Sequence, residues 1–147
     1  MPMHHIAILI SAMLITGCSS TGSTNQNRTA SKVVEQVDLS NIEQLDIHTL
    51  IASFEENSTS SPFSGSVIEL TGEVVAFALT EENLYTVTIR DDNSDVICVF
   101  NNSIADKLGD GRVVHDGATI TIQGQCFASG LFSSNSFSLD GCRIVSN

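Results

Sequence analysis

From Val67 to the end of the chain, apolar and polar residues alternate with period two, and short turn-forming clusters interrupt the pattern. Strict alternation over several residues marks a strand with one buried and one exposed face. Ile68, Leu70, Gly72 and Val74 fall on one face, against Glu69, Thr71 and Glu73 on the other. The following VAFAL is less regular, which predicts a bulge or bend in this first long strand. TEEN (80–83) is a turn, and LYTVTIR (84–90) alternates again with Tyr85, Val87 and Ile89 together. DDNSD (91–95) is a second turn. VICVF (96–100) is a continuous apolar run, expected to be a strand buried on both faces. NNSIADKL (101–108) predicts a short helix, and GDGRVVHDG breaks it. ATITIQGQCF (118–127) and FSLDGCRIV (137–145) supply two more strands, separated by the loop ASGLFSSNS.

Three strands, a helix and two strands is the order of the OB-fold, a small Greek-key barrel. The expected fold class is therefore all-β with minor α: a five-stranded OB-fold barrel over 63–147, preceded by a helical segment over 33–62. Within that segment, Ile47, Leu50, Ile51 and Phe54 have helical spacing, with Asp46 as N-cap and Asn57 as a stop. Val33 to Leu45 fits either a short amphipathic helix or an extended approach.

The N-terminus decides location. Ile6 to Ile15 is an apolar block of ten residues. Crossing a bilayer needs about 20, so the block suits the core of a cleaved signal peptide, residues 1–17. Leu14-Ile15-Thr16-Gly17-Cys18 resembles the lipobox of bacterial lipoproteins, although His4 and His5 stand where Lys or Arg is usual. That resemblance implies acylation of Cys18, with palmitate-type chains, and cleavage before it. An ordinary cleaved signal, or a buried helix with a chance cysteine, are the alternatives. Ser19, rather than Asp, implies the outer membrane, facing the periplasm. Residues 20–32 (STGSTNQNRTASK) have almost no apolar content, so 18–32 is expected to be a lipidated flexible tether.

Charge narrows the function. Six Lys and Arg face seventeen Asp and Glu, a net charge of −11. Phosphate neutralisation drives most nucleic-acid binding, and here that contribution has the wrong sign. With no Trp and one Tyr, stacking platforms are scarce. Three cysteines remain after Cys18, and export would place them in an oxidising compartment. Three pairings are possible. Cys126–Cys142 is favoured, because a hairpin centred near Ser134 sets them opposite one another, and closing that loop is worth about 3 kcal/mol on the chain-entropy account. Cys98, inside VICVF, is then a free core thiol.

Other chemistry is sparse. Cys98, His115, Cys126 and Cys142 could ligate zinc, but no CxxC or HxxxH pair exists. Asp91 to Asp95 lacks the glycine and terminal glutamate of a calcium loop. His48 and His115 lie in no nucleophile motif. No metal, cofactor or catalytic residue is expected.

The residues from Leu45 to Val145 resemble the tRNA_anti-like OB-fold family of bacterial envelope proteins. Its recurring features match Leu50, Phe54 and Asn57; Gly65 with Leu70-Thr71-Gly72-Glu73-Val74; Cys98-Val99-Phe100; Gly124-Gln125-Cys126; and Leu139-Asp140-Gly141-Cys142-Arg143-Ile144. The family's name records kinship of fold with tRNA-anticodon-binding domains and does not establish nucleic-acid activity. The expectation is a non-enzymatic envelope lipoprotein binding a glycan, small molecule or protein. The expected ligand face is Tyr85, Thr86, Thr88 and Arg90, together with the 80–83 and 128–136 loops. The acidic turn residues Glu81 and Glu82 would repel a phosphate and suit a basic partner. A purely structural or assembly partner is the second reading, and nucleic-acid binding the third.

Overall fold

The structure, a computed structural model, describes residues 21–56, 61–101, 114–128 and 137–146. In chain order the elements are α1 (Thr21–Gln36), β1 (Glu43–Leu45), α2 (Ile47–Glu56), β2 (Val67–Leu79), β3 (Tyr85–Asp91), β4 (Ser94–Phe100), β5 (Thr119–Ala128) and β6 (Phe137–Ser146). The expected signal peptide, Cys18, the helix predicted after Asn101 and most of the loop at 128–136 lie outside the described residues.

Strands β2 to β6 close on themselves in the order β2-β3-β4-β6-β5, with β5 returning to β2. This is the expected five-stranded OB-fold barrel. The short β1 adds in parallel to β2, Glu43 to Leu45 against Ile68 to Leu70. Closure depends on β2 serving two partners. Its first half, Val67 to Glu73, pairs with β5, and its second half, Glu73 to Leu79, pairs with β3. The predicted irregularity lies at the changeover, as a register shift between Val74 and Ala76. A bulge adds local twist, and a small barrel needs that to curl shut.

The inward residues of every strand meet in one core. Ile68, Leu70 and Val74 of β2 join Val87 and Ile89 of β3, Val96, Cys98 and Phe100 of β4, Ile120 and Ile122 of β5, and Leu139 of β6, all but fully buried. Helix α2 adds Ile47 and Leu50 to the same core, with Ile51 and Phe54 against it. As predicted, Asp46 caps α2. Its carboxylate accepts from the Thr49 backbone N–H and hydroxyl at 2.7 Å each, which holds its carboxyl below the usual range.

Two expectations fail here. VICVF is not buried on both faces: Val96, Cys98 and Phe100 point inward, while Ile97 is 47% exposed. A barrel has only one interior, so an unbroken apolar run still alternates between core and outer surface. The tether fails over 21–32, which is helical in α1 and docked on the barrel. Asn27, Ala30, Ser31 and Val34 are buried at i, i+3, i+4 and i+7. Isolated, so polar a segment would be a marginal helix; packing against β6 and β5 stabilises it.

Candidate functional site

Helix α1 covers part of the barrel's outer surface, against β6 and β5. On the β6 side, Gly141 adopts φ +63°, and a Cβ there would fall within the α1 backbone at Ala30 and Ser31. Glycine thus permits both the strand geometry and the close approach. Polar groups then stitch the seam. Gln26 Nε2 donates to Asp140 Oδ2 at 2.5 Å, and Ser138 Oγ donates to Asp140 Oδ1 at 3.1 Å. Asn27 Nδ2 reaches across to the Val99 carbonyl of β4 at 3.0 Å, and Asn101 Nδ2 donates to Ser31 Oγ at 3.0 Å. Burial pushes the Asp140 carboxyl up, and the Gln26 and Ser138 hydrogen bonds only partly oppose this.

A second region stays open. Beyond the bulge, β2, β3 and β4 present Ala76, Thr88 and Ile97 in one row and Ala78, Thr86 and Val99 in the next. The row below holds Glu73, Arg90 and Asp95. Three of the four expected ligand-face residues, Thr86, Thr88 and Arg90, therefore share a face. Tyr85 does not. It is in register with Leu79 and Phe100, on the inward parity. The period of two assigns neighbours to opposite faces, so Tyr85 and Thr86 cannot act on the same ligand surface. Tyr85 instead belongs to the barrel's end, beside Phe77 and Leu79, each 55% exposed where β2 has left β5. The adjoining turn is closed by Thr80 N–H donating to the Leu84 carbonyl at 2.8 Å, with Asn83 at φ +59°. It carries Glu81, which is exposed.

Arg90 is paired. Its Nε and Nη2 donate to the two Asp95 oxygens at 2.6 and 2.7 Å. This fork raises the arginine's pKa and lowers that of Asp95. With Glu73 also nearby, the row offers a phosphate no net positive charge. On the sheet formed by β2, β5 and β6, Arg143 Nε donates to Gln123 Oε1 at 2.8 Å, and Gln123 Nε2 donates to Glu69 Oε2 at 2.6 Å. That arginine too is committed to the sheet.

The expected Cys126–Cys142 bridge is not formed; Cys98, Cys126 and Cys142 are all free buried thiols. The residue opposite Cys126 is Leu139. The hairpin is offset from the symmetric one, and a register shift at Gln123/Gln125 moves Cys142 further along β6. Burial, with a smaller push from Asp140, raises the Cys126 thiol to about 12, so it is no nucleophile at neutral pH. His48 and His115 are exposed, and His115 Nδ1 lies 3.0 Å from the Asp116 carbonyl. Among the described residues no three His, Cys, Asp or Glu side chains gather where they could hold a metal ion. No described helix is long and apolar enough to cross a membrane.

The family model tRNA_anti-like matches residues 3–133. Among solved structures, a candidate nucleic acid-binding lipoprotein of Klebsiella pneumoniae is similar, with TM-score 0.59 and 18% identity, over 74% of this chain and 95% of its own. A candidate aspartyl-tRNA synthetase of Leishmania major gives TM-score 0.50 and 7% identity over 77% of this chain, which spans only 22% of that enzyme. At such identities both likenesses are of fold. No curated protein matches.

Proposed function

Because the chain belongs to the tRNA_anti-like family, we propose that it is a non-enzymatic envelope lipoprotein whose OB-fold barrel binds another component of the envelope. The open outer face of β2, β3 and β4 is the binding surface. The observation that carries this reading is the contrast between that face and the one sealed by α1: among the described residues α1 reaches the open face at its edge, at the Val99 carbonyl, and leaves Ile97 47% exposed. Half-exposed Ile97, with alanines and threonines around it, suits a protein surface better than a polyanion. The lipoprotein likeness of fold supports the anchor at Cys18, with LITGC as its sequence basis. The outer membrane, facing the periplasm, follows from Ser19.

The anchor would lie only three residues ahead of α1. Three residues span at most about 11 Å. The docked helix would therefore hold the barrel close to the lipid surface, in place of a long free tether.

Nucleic-acid binding is the second reading, favoured by the likeness of fold to the candidate nucleic acid-binding lipoprotein of Klebsiella and opposed by the net charge and by the Arg90–Asp95 fork. One binding comparison separates them. The full chain is tested at low and moderate salt against a single-stranded oligonucleotide, peptidoglycan fragments and envelope extract, beside an Ile97→Glu variant. Retention of an envelope protein or glycan that Ile97→Glu abolishes, with no oligonucleotide bound, supports the proposed face. Oligonucleotide affinity that falls steeply with salt would reverse the ranking. Replacing Cys18 with Ala should release the protein from the membrane fraction; persistence there would remove the lipid anchor.

A further inference from the structure

The weakest seam of the barrel lies between β4 and β6. These strands pair in parallel through only Ile97 with Ser138 and Cys98 with Leu139, whereas β3 and β4 pair through seven residues. Two cysteines stand at that seam. Cys98 enters the barrel from β4, opposite Leu139. Past Leu139, the left-handed Gly141 turns β6 so that the Cys142 Sγ comes back to 3.1 Å from the Leu139 carbonyl oxygen. The Cys142 thiol thereby comes to the same seam as the Cys98 thiol, in the same buried core and close enough for the two to interact. The opposite strand leaves room for the sulfur: a Cβ on Gly124 would lie 2.7 Å from Cys142 Sγ. Cys126 faces the other side of Leu139, on β5.

We propose that Cys98 and Cys142 close an intramolecular disulfide that latches β4 to β6, leaving Cys126 as the free thiol. Closing it breaks two S–H bonds and forms one S–S bond. The S–S bond of a protein oxidoreductase disulfide or of oxidised glutathione breaks in exchange, and the two protons and two electrons given up by the cysteines convert it to two thiols. Both sulfurs are buried in the folded barrel. The exchange therefore takes place as the chain folds, before β6 seals the seam. The bridge spans a long stretch of chain, including β5, and restrains the element pair with the fewest hydrogen-bonded partners.

The experiment has two arms. The full chain, exported with its own N-terminus, is denatured in an alkylating reagent without reductant, digested and mapped by mass. The same full chain is refolded in a buffer of oxidised and reduced glutathione and treated identically. The second arm does not depend on export, so failure of the envelope reading, visible as an uncleaved N-terminus in the first arm, is distinguishable from failure of the bridge. The expected result after refolding is a peptide containing Cys98 joined to one containing Cys142, two hydrogens lighter than the separate peptides, with Cys126 alkylated. Cys126→Ala should keep this bridge, and Cys142→Ala should leave Cys98 alkylated. Reductant should lower the urea midpoint of the wild type and of Cys126→Ala, and leave that of Cys142→Ala unmoved. Cys98, Cys126 and Cys142 all alkylated after refolding, or any bridge that includes Cys126, would overturn the proposal.

Discussion

The two sides of the barrel start from the same rule and end differently. On both, a strand places every second residue outward. On β6 the outward positions include Gly141 and Asp140, and α1 lies across them, joined through Gln26, Asn27 and Ser31. On β3 and β4 they are Thr86, Thr88, Ile97 and Val99; α1 reaches this face at the Val99 carbonyl, through Asn27, and Ile97 stays 47% exposed. A barrel wall becomes a docking seat where a missing Cβ admits another backbone and side chains such as Gln26 and Asn27 bond across the seam, although Asn27 Oδ1 is left without a partner. Where branched side chains project instead, the wall stays open to an outside partner.

The sharpest way to break this contrast is Gly141→Val. A side chain there combines a left-handed backbone with a clash into α1. We expect a loss of about 3 kcal/mol, read as a lower midpoint in urea unfolding, because strain and overpacking add. A loss below that of an ordinary surface substitution would mean that α1 is not seated on β6.

Asp140→Asn probes the same seam through pH. Burial raises the folded carboxyl above the ordinary aspartate value, so the native state holds its proton where the unfolded chain has released it. The wild type thus loses stability from this group as pH rises from about the unfolded value through the raised folded one. The variant has no such loss. Its stability relative to wild type should climb with pH across that window and then level off, as measured by parallel denaturation series. A difference independent of pH would mean that Asp140 is not buried by α1.

The open face should respond least. Arg90→Gln removes a half-exposed ion pair, and such pairs contribute little to stability and are weakened by salt. Its unfolding midpoint should stay close to wild type. A large loss would show that Arg90 and Asp95 carry structure on that face and are not available as part of a binding surface.

The strands of the barrel were legible because alternation is local. Ile68, Leu70 and Val74, Val87 and Ile89, and Ile120 and Ile122 each declare a face within a few residues, and Asp46 announces the start of α2. Helix α1 was not legible. Its buried face is Asn27, Ala30, Ser31 and Val34, which reads as polar and small, and only Val34 hints at burial. The spacing of those four residues was present, but its meaning depends on a glycine more than a hundred positions away. The candidate site was half legible. Parity placed Thr86, Thr88 and Arg90 together, and the same parity should have excluded Tyr85. The cysteine pairing failed because a symmetric hairpin was assumed, whereas the bulge at Gly141 carries Cys142 past Cys126 and towards Cys98.

By itself, the sequence determined the number and order of the barrel strands, the inward residues of β2, β3 and β5, the cap of α2 and the acidic charge that disfavours polyanions. Each follows from chemistry between near neighbours or from a sum over all residues. Tertiary structure alone decided that residues 21–36 form a docked helix, that Ile97 faces outward, that Arg90 is held by Asp95 and that Cys142 comes to the same seam as Cys98. Those outcomes depend on register, on one left-handed glycine and on which strand closes the barrel, and closure joins residues that no local pattern relates.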